Sequence, residues 1–345
     1  MGSAVVNADV NIGPFDVIGY AEAYYVHDFA DYPSHYRMIT PSGISPVYSY
    51  NRADQFAINH ALLDLHYETN NFRFAMGFQG GTYVTANYAP ESGFAKYLYE
   101  GSVGFRVAPN LWIDGGVFPS HIGLESAISK DNQAQTRSLM ADNTPYYESG
   151  AKATWEPDKH WLLSALVLRG WQSIDNPDQN VDFGTQLQFK PSDAWALNSS
   201  TFIGKFGGDH LMRYFHDFYV TWQVTGPLSL SAAFDIGGQE LSSADRGLRG
   251  WYSAQAMAHY QFNPQWAVCA RVEHYHDPRG ITIPTATPDN FVASGASINL
   301  DYKPEAHVLL RTEFRNITAD HRVFIHRQGL SRSDNTLTWS LILSL

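Results

Sequence analysis

The stretch VDFGTQLQFK, Val181–Lys190, alternates between two kinds of residue with a period of two. One face carries Val181, Phe183, Thr185, Leu187 and Phe189, and the other carries Asp182, Gly184, Gln186, Gln188 and Lys190. Successive side chains of a β-strand point to opposite faces, so this alternation is typical of a strand. The segment therefore predicts a strand that separates an apolar environment from a polar one.

The same pattern recurs along the whole chain. It is clearest in three further segments, which begin at Leu228, Val308 and Thr336. Weaker versions, bounded by Gly, Pro, Asn and Asp, begin near Phe15, Phe56, Phe72, Leu98, Leu111, Tyr146, Trp161, Trp195, Met212, Trp251, Trp266 and Phe291. Together they predict about sixteen strands, and an even number is expected of a bacterial outer-membrane barrel.

The connections between these segments alternate in length. Tight turns, rich in residues that favour turn dihedrals, fall near 70–71, 108–110, 157–159, 191–193, 225–227, 263–264 and 304–306. Longer loops cover roughly 30–54, 86–95, 119–145, 172–180, 204–211, 237–250, 277–289 and 317–334. Strict alternation places every tight turn at one end of an up-and-down sheet. The prediction is an all-β, transmembrane, antiparallel up-and-down β-barrel with short periplasmic turns and long extracellular loops.

Other β architectures fit this order less well. Greek-key crossings in a β-sandwich would scramble the alternation of short and long connections, and a propeller would show a blade repeat, which the sequence lacks. We expect one barrel over residues 14–345, preceded by an N-terminal extension over 1–13. No basic-then-apolar stretch follows Met1, so we interpret the start as an artificial one on a mature sequence, without a signal peptide.

Composition excludes several classes of function. Only 17 % of the 345 residues are charged, against about 25 % in a typical soluble protein. The formal net charge of -11 disfavours nucleic-acid binding, which needs a basic surface. Cys269 is the only cysteine, which rules out a disulfide framework and a zinc site of four thiolate ligands.

Tryptophans mark one end of the predicted barrel. Trp prefers the membrane–water boundary, where its ring is apolar and its N–H stays hydrated. Six of the nine tryptophans lie close to a tight turn: Trp112, Trp155, Trp161, Trp195, Trp222 and Trp266. The pattern predicts an aromatic belt at the tight-turn end, although aromatic residues also pack at strand ends in other β-proteins.

Charged residues on the polar strand faces are predicted to line the lumen. A Lys or Arg facing lipid at mid-bilayer would cost roughly 2 to 4 kcal/mol, so inward placement is favoured. Two roles stay open for these residues, selectivity in an open channel or pairing across a filled barrel, with pairs such as Arg271 with Glu313 or Glu273 with Arg311. The predicted lining residues are Glu22, Arg73, Glu100, Arg106, Asp114, Glu148, Lys152, Asp182, Asp217, Asp235, Arg271, Glu273, Asp301, Arg311, Glu313 and Arg315.

The 119–145 loop is the longest irregular connection. Glu125–Ala141 is predicted to form a short helix that ends before Asn143 and Pro145. Such a loop either folds into the barrel and narrows the pore or lies across the outer rim, and the sequence leaves both open. If it folds inward, the charges expected at the constriction are those of Glu125, Lys130, Asp131 and Arg137.

Residues that carry catalytic or metal chemistry do not form a convincing site in the sequence. His274 and His276 share one strand face, but that face is predicted to meet lipid. Ser120 and His121 beside Glu125 resemble part of a triad, yet neighbouring residues of an extended chain point apart. No phosphate-binding loop follows a strand. We expect no enzymatic activity, no cofactor and no metal.

Four segments resemble one protein family. They are IGYAEAYYVHDF (Ile18–Phe29), GVFPSHIGLESAISKDNQAQTRSLMADNTPYYESGAK (Gly116–Lys152), FGTQLQFKPSDAWALNSSTFIG (Phe183–Gly204) and MRYFHDFY (Met212–Tyr219). They are similar to the putative beta-barrel porin-2 family of OmpL-like outer-membrane proteins. The resemblance implies a pore-like barrel in the bacterial outer membrane and no catalytic residues. The chain departs from many outer-membrane barrels in ending on Leu345 instead of an aromatic residue, and Trp339 is the nearest substitute.

The expected function is passive diffusion of small hydrophilic solutes or ions through an outer-membrane porin. Its expected contacts are outer-membrane lipid, lipopolysaccharide and, by analogy with porins of this size, further copies of the chain. The alternatives are a filled barrel that acts as a structural or surface-interaction protein and, with less support, an outer-membrane hydrolase.

Overall fold

The computed structural model describes residues 14–31, 34–37, 39–43, 45–175, 180–207, 210–242, 244–288 and 290–345. The predicted extension over 1–13 lies outside the described residues. The strands are β1 Asp16–Asp28, β2 Phe56–Glu68, β3 Phe72–Gly80, β4 Leu98–Ala108, β5 Leu111–Pro119, β6 Tyr147–Trp155, β7 Trp161–Leu168, β8 Asp182–Ser192, β9 Trp195–Phe206, β10 Leu211–Gln223, β11 Leu228–Glu240, β12 Leu248–Asn263, β13 Trp266–Asp277, β14 Phe291–Glu305, β15 Val308–Ala319, β16 Phe324–His326, β17 Gly329–Ser331 and β18 Ser333–Ser344.

All of these strands except β16 and β17 form one closed antiparallel barrel. Each barrel strand pairs with the next along the chain, and β18 returns to β1, where Tyr20 pairs with Ser344. The sixteen-stranded, up-and-down barrel predicted from the alternation is therefore confirmed. Each barrel strand begins within three residues of its predicted start. β16 and β17 form a small hairpin in the last long loop.

Helical structure is confined to short pieces in the long loops. They are α1 Thr82–Asn87, α2 Leu139–Asp142 and two 3₁₀ turns, Ala95–Tyr97 and Ser129–Asp131. In the described part of the chain, no helix is long and apolar enough to cross a membrane. The helix predicted over Glu125–Ala141 is wrong, because only its end is α-helical and, apart from the turn at Ser129–Asp131, the rest follows an irregular path.

The two strand faces lie in opposite environments, as the quoted stretch predicts. On β8, the side chains of Phe183 and Leu187 are 56 % and 42 % exposed on the outside of the barrel, whereas Asp182 and Gln188 are buried inside it. The other barrel strands repeat this arrangement, so large apolar side chains cover the outer surface. A polar interior and an apolar exterior are the arrangement that a transmembrane barrel requires.

An aromatic belt is present at the tight-turn end, with one correction. Trp155, Trp161, Trp195 and Trp266 are exposed on the outer face, and Trp222 stacks on Trp195 with a ring separation of 4.8 Å. Trp112 does not belong to the belt, because it is buried on the inward face of β5. There its indole ring lies beneath the guanidinium groups of Arg73 and Arg106, at 4.5 and 4.9 Å.

The main apolar core lies inside the barrel, towards its long-loop end. Inward-facing side chains from the ends of the strands pack there against side chains of the loops. The cluster contains Ile39, Val47, Phe118, Ile122, Leu139, Leu166, Leu168, Phe202, Phe215, Trp251, Tyr275, Ile283, Phe291, Ala293, Ile317, Ala319, Val323 and Phe324. This half of the interior is therefore filled, in contrast to the tight-turn half.

Candidate functional site

The loop over residues 119–145, here the inward loop, runs inside the barrel. Its residues make hydrogen bonds with inward side chains of strands around the whole circumference, including β1, β6, β10, β11, β12, β13 and β15. A loop lying across the outer rim could not reach all of these strands. The sequence left open whether this loop folds into the barrel or lies across the outer rim, and in the structure it folds into the barrel.

Arg311 on β15 holds the first half of the inward loop by hydrogen bonds to its backbone. Its guanidinium donates hydrogen bonds to the backbone carbonyls of Ser129, Asn132 and Gln133 at 2.6 to 3.0 Å. The same group pairs with Asp301 at 2.9 Å. Arginine is suited to this role because it offers five donors in a fixed plane. The carbonyl of Ser129 also accepts from the N–H of Asn132 in the short 3₁₀ turn.

A second cluster holds the next part of the loop. The backbone N–H of Thr136 donates to Glu313 at 2.5 Å, and its carbonyl and hydroxyl accept from Arg271. The N–H of Leu139 donates to Glu273 at 2.6 Å. These bonds are charge-assisted and buried, which makes them stronger than ordinary neutral ones.

One of the two ion pairs expected among these charges forms and the other does not. Arg271 pairs with Glu313 at 3.2 Å. The expected pair of Glu273 with Arg311 is wrong, because Glu273 pairs with Arg315 at 2.7 Å and Arg311 is engaged by Asp301. The register explains the change: Asp301 lies directly opposite Arg311 on the neighbouring strand.

The start of the inward loop is fixed on the opposite side of the barrel. His121 lies between Glu148 and the carbonyl of Thr201, with both ring nitrogens at 2.9 Å from their oxygen partners. Burial by itself disfavours a charged imidazole, but the carboxylate of Glu148 outweighs this and raises the pKa of His121. Two residues later, the N–H of Gly123 donates to Asp217 on β10.

Glu22 on β1 joins two loops to the wall. It accepts hydrogen bonds at 2.7 Å from Ser129 of the inward loop, from Tyr50 of the 30–54 loop and from Asn59 on β2. Glu22 is completely buried. Its two oxygens therefore hold parts of the fold that are far apart in sequence.

The four charged residues predicted at a constriction differ from one another in burial. Glu125 is buried and accepts from Ser138, and Arg137 is buried between the rings of Tyr83 and Tyr146. Burial raises the pKa of Asp142, which pairs with Arg137, to about 6.

Of the four, Asp131 and Lys130 are the partly exposed ones. They lie 3.5 Å apart and face two different cavities. Arg137 also lines a small space on the far side of the loop, and the assignment of the four charges to the constriction stays a prediction.

The other predicted lining residues occupy the inward faces of their strands. Arg73 pairs with Asp114, and Arg106 is exposed near the tight turn that follows it. Lys152 lies 4.7 Å from the ring centre of Phe118, and Glu100 is bonded to His66. Among the described residues, a carboxylate oxygen has no hydrogen-bond partner in each of Asp182, Asp217 and Asp235.

The tight-turn half of the interior contains a cavity of about 690 Å³. Its wall is formed by the inward loop and by strand residues such as Thr221 and Ser231. Its acidic residues are Asp16, Asp64, Glu100, Glu125 and Asp131, and within the described chain none of its lining residues is Lys or Arg. We call this space the vestibule. On the other side of the inward loop, a space lined by Arg37, Tyr50 and Arg315 measures only about 10 Å³.

One cluster in the vestibule was missed by the sequence analysis. His66 on β2 lies 2.8 Å from a carboxylate oxygen of Asp64 and 3.0 Å from one of Glu100. Asp64 and His66 have the same two-residue spacing as His274 and His276, and their strand alternation was a usable signal. Glu100 could not be added, because only the fold brings β4 beside them. His274 and His276 themselves share the outward face of β13, as predicted.

The grouping of Ser120, His121 and Glu125 does not form a triad. Ser120 and His121 both bond to Glu148, at 3.2 and 2.9 Å. The second ring nitrogen of His121 faces the carbonyl of Thr201. No hydroxyl is therefore placed at this imidazole for activation as a nucleophile, within the residues that the structure describes.

The fold and the inward loop define an outer-membrane barrel of the porin type. The chain belongs to the putative beta-barrel porin-2, OmpL-like family, whose model matches residues 14–345. It is accordingly an outer-membrane channel protein of bacteria. A comparison with curated proteins gave no match.

Solved porins share the fold at low sequence identity. The outer-membrane channel DcaP of Acinetobacter baumannii is 11 % identical, with a TM-score of 0.59 over 97 % of this chain and 99 % of that one. An anion-selective porin from Comamonas acidovorans is 9 % identical, with a TM-score of 0.61 over 96 % and 99 %. The trimer form of Vibrio cholerae OmpT is 8 % identical, with a TM-score of 0.60 over 96 % and 99 %. At these identities, the similarity concerns the fold alone.

Proposed function

We propose that this chain is a narrow, cation-preferring channel for passive passage of small hydrophilic solutes and ions, controlled by the inward loop. The observation that carries the proposal is the position of this loop. It is bonded to strands around the whole barrel and separates the vestibule from the filled long-loop half. A segment at that position determines what crosses the barrel.

The charge of the vestibule supports a preference for cations. Its acidic residues face a confined space in which their potential is screened less than at an open surface. Three basic residues that would oppose this potential are bound elsewhere: Arg311 and Arg271 hold the inward loop, and Arg73 pairs with Asp114. Negative rings of this kind favour cation passage.

Passage through the barrel requires movement of the inward loop. A space of about 10 Å³ beyond it admits roughly one water molecule, which is too little for a hydrated ion. Under this proposal, this space widens when the loop moves. Opening would release some of the loop's bonds to β13 and β15 and expose Thr136 and its neighbours to water.

Deletion of residues 124–140 tests the proposal in planar lipid bilayers. We expect a single-channel conductance several times that of the intact chain, because the loop no longer crosses the barrel. The reversal potential should shift, because the deletion removes Glu125, Lys130, Asp131 and Arg137 and frees Arg271 and Arg311 from the loop. An unchanged conductance and reversal potential in a folded barrel would contradict the proposal. Heat-modifiable migration on gels checks that the barrel has formed. Shortening of the 241–247 loop, whose described residues are mostly exposed, is the matched control and should leave both quantities unchanged.

A filled barrel with a structural or surface role is the second candidate. The apolar cluster in the long-loop half favours it, because side chains such as Phe202, Trp251 and Phe291 are buried there as in a soluble core. This alternative predicts no discrete channel steps in the intact chain in any salt, and none after the 124–140 deletion.

Three further expectations belong to the proposal. The absence of enzymatic activity is supported by the bonding of Ser120 and His121 to Glu148. Contact with outer-membrane lipid and lipopolysaccharide is supported by the apolar outer surface. Association of several barrels is supported only by the fold shared with porins, one of which has a trimer form.

A further inference from the structure

The vestibule wall brings three metal-ligating side chains to one point. The ligand atoms of Asp64, His66 and Glu100 all lie within 4.8 Å of one another. Asp64 and Glu100 are buried, whereas the side chain of His66 is 41 % exposed to the vestibule. The cluster is outside the inward loop and takes no part in holding it.

A glycine between the two carboxylates makes this arrangement feasible. Asp64 on β2 lies opposite Gly77 on β3, and Gly77 lies opposite Glu100 on β4. A β-carbon at Gly77 would lie 2.6 Å from a carboxylate oxygen of Asp64, which is too close for any real contact. Because residue 77 has no side chain, Glu100 reaches across the middle strand to His66, which lies on the same strand as Asp64.

The donor set and its charge suit a divalent transition-metal ion. One imidazole nitrogen and two carboxylate oxygens are ligands that Zn²⁺ accepts at about 2.0 to 2.2 Å. With a dication bound and His66 neutral, the charges of the ion and the two ionised carboxylates sum to zero. Without the ion, a protonated His66 leaves one negative charge of the carboxylates uncompensated. An imidazole ligand favours Zn²⁺ over Mg²⁺ or Ca²⁺, which prefer oxygen donors alone.

We propose that Asp64, His66 and Glu100 form a binding site for a divalent transition-metal ion in the vestibule. The ion binds the neutral form of His66, so any proton on this imidazole is released to solvent as the ion binds. The exposed side of His66 leaves a coordination position open to water from the vestibule. Asp16 lies opposite His66 in the β1–β2 register and lines the same cavity, so it is placed to contribute a further oxygen.

Zn²⁺ titration of the full chain in detergent, without an affinity tag and after chelator treatment, tests the site. We expect one Zn²⁺ per chain and affinity at least about tenfold weaker in His66→Asn, since loss of even an indirect support to a metal ligand costs that much. Gly77→Ala should weaken binding similarly, because its new β-carbon displaces Asp64 while keeping every ligand. The double variant His274→Asn/His276→Asn removes two outward histidines and should bind Zn²⁺ as the intact chain does.

The opposite results would overturn the proposal. These are no stoichiometric Zn²⁺ binding by the intact chain, or an unchanged affinity in both His66→Asn and Gly77→Ala. Zinc-edge X-ray absorption identifies the ligands of the bound Zn²⁺ in the intact chain, without a variant. A shell of one imidazole and several oxygens supports the site, and a shell with two or more imidazoles contradicts it. Binding is measured without a current, so its outcome is independent of the proposed channel function.

Discussion

At the scale of single residues, buried charges in this barrel are matched by partners from distant parts of the chain. His121 is an example, because its imidazole is held between the carboxylate of Glu148 and the carbonyl of Thr201. Glu148 and Thr201 lie 27 and 80 positions after His121 in the sequence. A sequence pattern can mark such a histidine as polar and inward, but cannot supply its partners.

The paired His121 predicts a pH-dependent contribution to stability. The pKa of His121 is raised in the folded chain, because Glu148 outweighs the effect of burial. Its contribution is therefore complete below the unfolded pKa of about 6.5 and is lost as pH rises through the folded pKa. We expect the difference in unfolding free energy between the intact chain and His121→Asn to be largest near pH 5 to 6 and to shrink at higher pH, as measured by urea unfolding in detergent.

A histidine on the outer face provides the control for this measurement. His216 is exposed and bonds to the hydroxyl of Ser199 at 2.8 Å. His216→Asn removes an outward imidazole that does not contact Glu148, and its effect is measured at the same pH values for comparison. A His121→Asn difference that stays constant with pH, or grows as pH rises, would show that the pair with Glu148 is not what stabilises this imidazole.

At the scale of elements, strands and loops differ in how much of them the sequence reveals. The strands were predictable because their two-residue period is local and each face has one environment, as Phe183 and Asp182 show on β8. The path of the inward loop was not predictable, because it depends on Arg311 and Glu313, which are more than 170 residues away in the sequence. Trp112 shows the same limit, since proximity to a turn does not tell which face a side chain occupies.

Arg311 is the element-scale test of how the loop is held. Arg311→Ala removes the donors to Ser129, Asn132 and Gln133 and leaves Asp301 buried without its partner. Breaking a buried pair in this way costs about 3 to 5 kcal/mol of unfolding free energy. Urea unfolding in detergent measures the loss. Arg106→Ala, at an exposed inward arginine, is the matched control with an expected change below about 1 kcal/mol. Equal effects of the two variants would contradict a special role for Arg311.

At the scale of the whole molecule, the barrel is divided into an aqueous half and a filled half. The vestibule of about 690 Å³ lies on the tight-turn side, and the apolar cluster with Phe202 and Trp251 lies on the long-loop side. The sequence predicted the barrel, its strand order and the polarity of its two faces. It could not predict this division, because the division follows from where one loop goes after it leaves β5.

The central claim is that the inward loop must move for solutes to pass, and Cys269 offers a direct test. This residue is the only cysteine, and it belongs to the same small buried cluster as Ala134 of the inward loop. In Ala134→Cys, oxidation should form a disulfide that ties the loop to β13, which mass spectrometry verifies. Adding Cys269→Ser to this variant removes the tether and serves as the control.

The decisive measurement is the single-channel conductance of Ala134→Cys in a planar bilayer, recorded on the same channel before and after a reductant is added. The account predicts little or no conductance while the disulfide is intact and recovery to the level of the intact chain after reduction, with no effect of the reductant on the control. A verified disulfide that leaves the conductance unchanged would contradict the account.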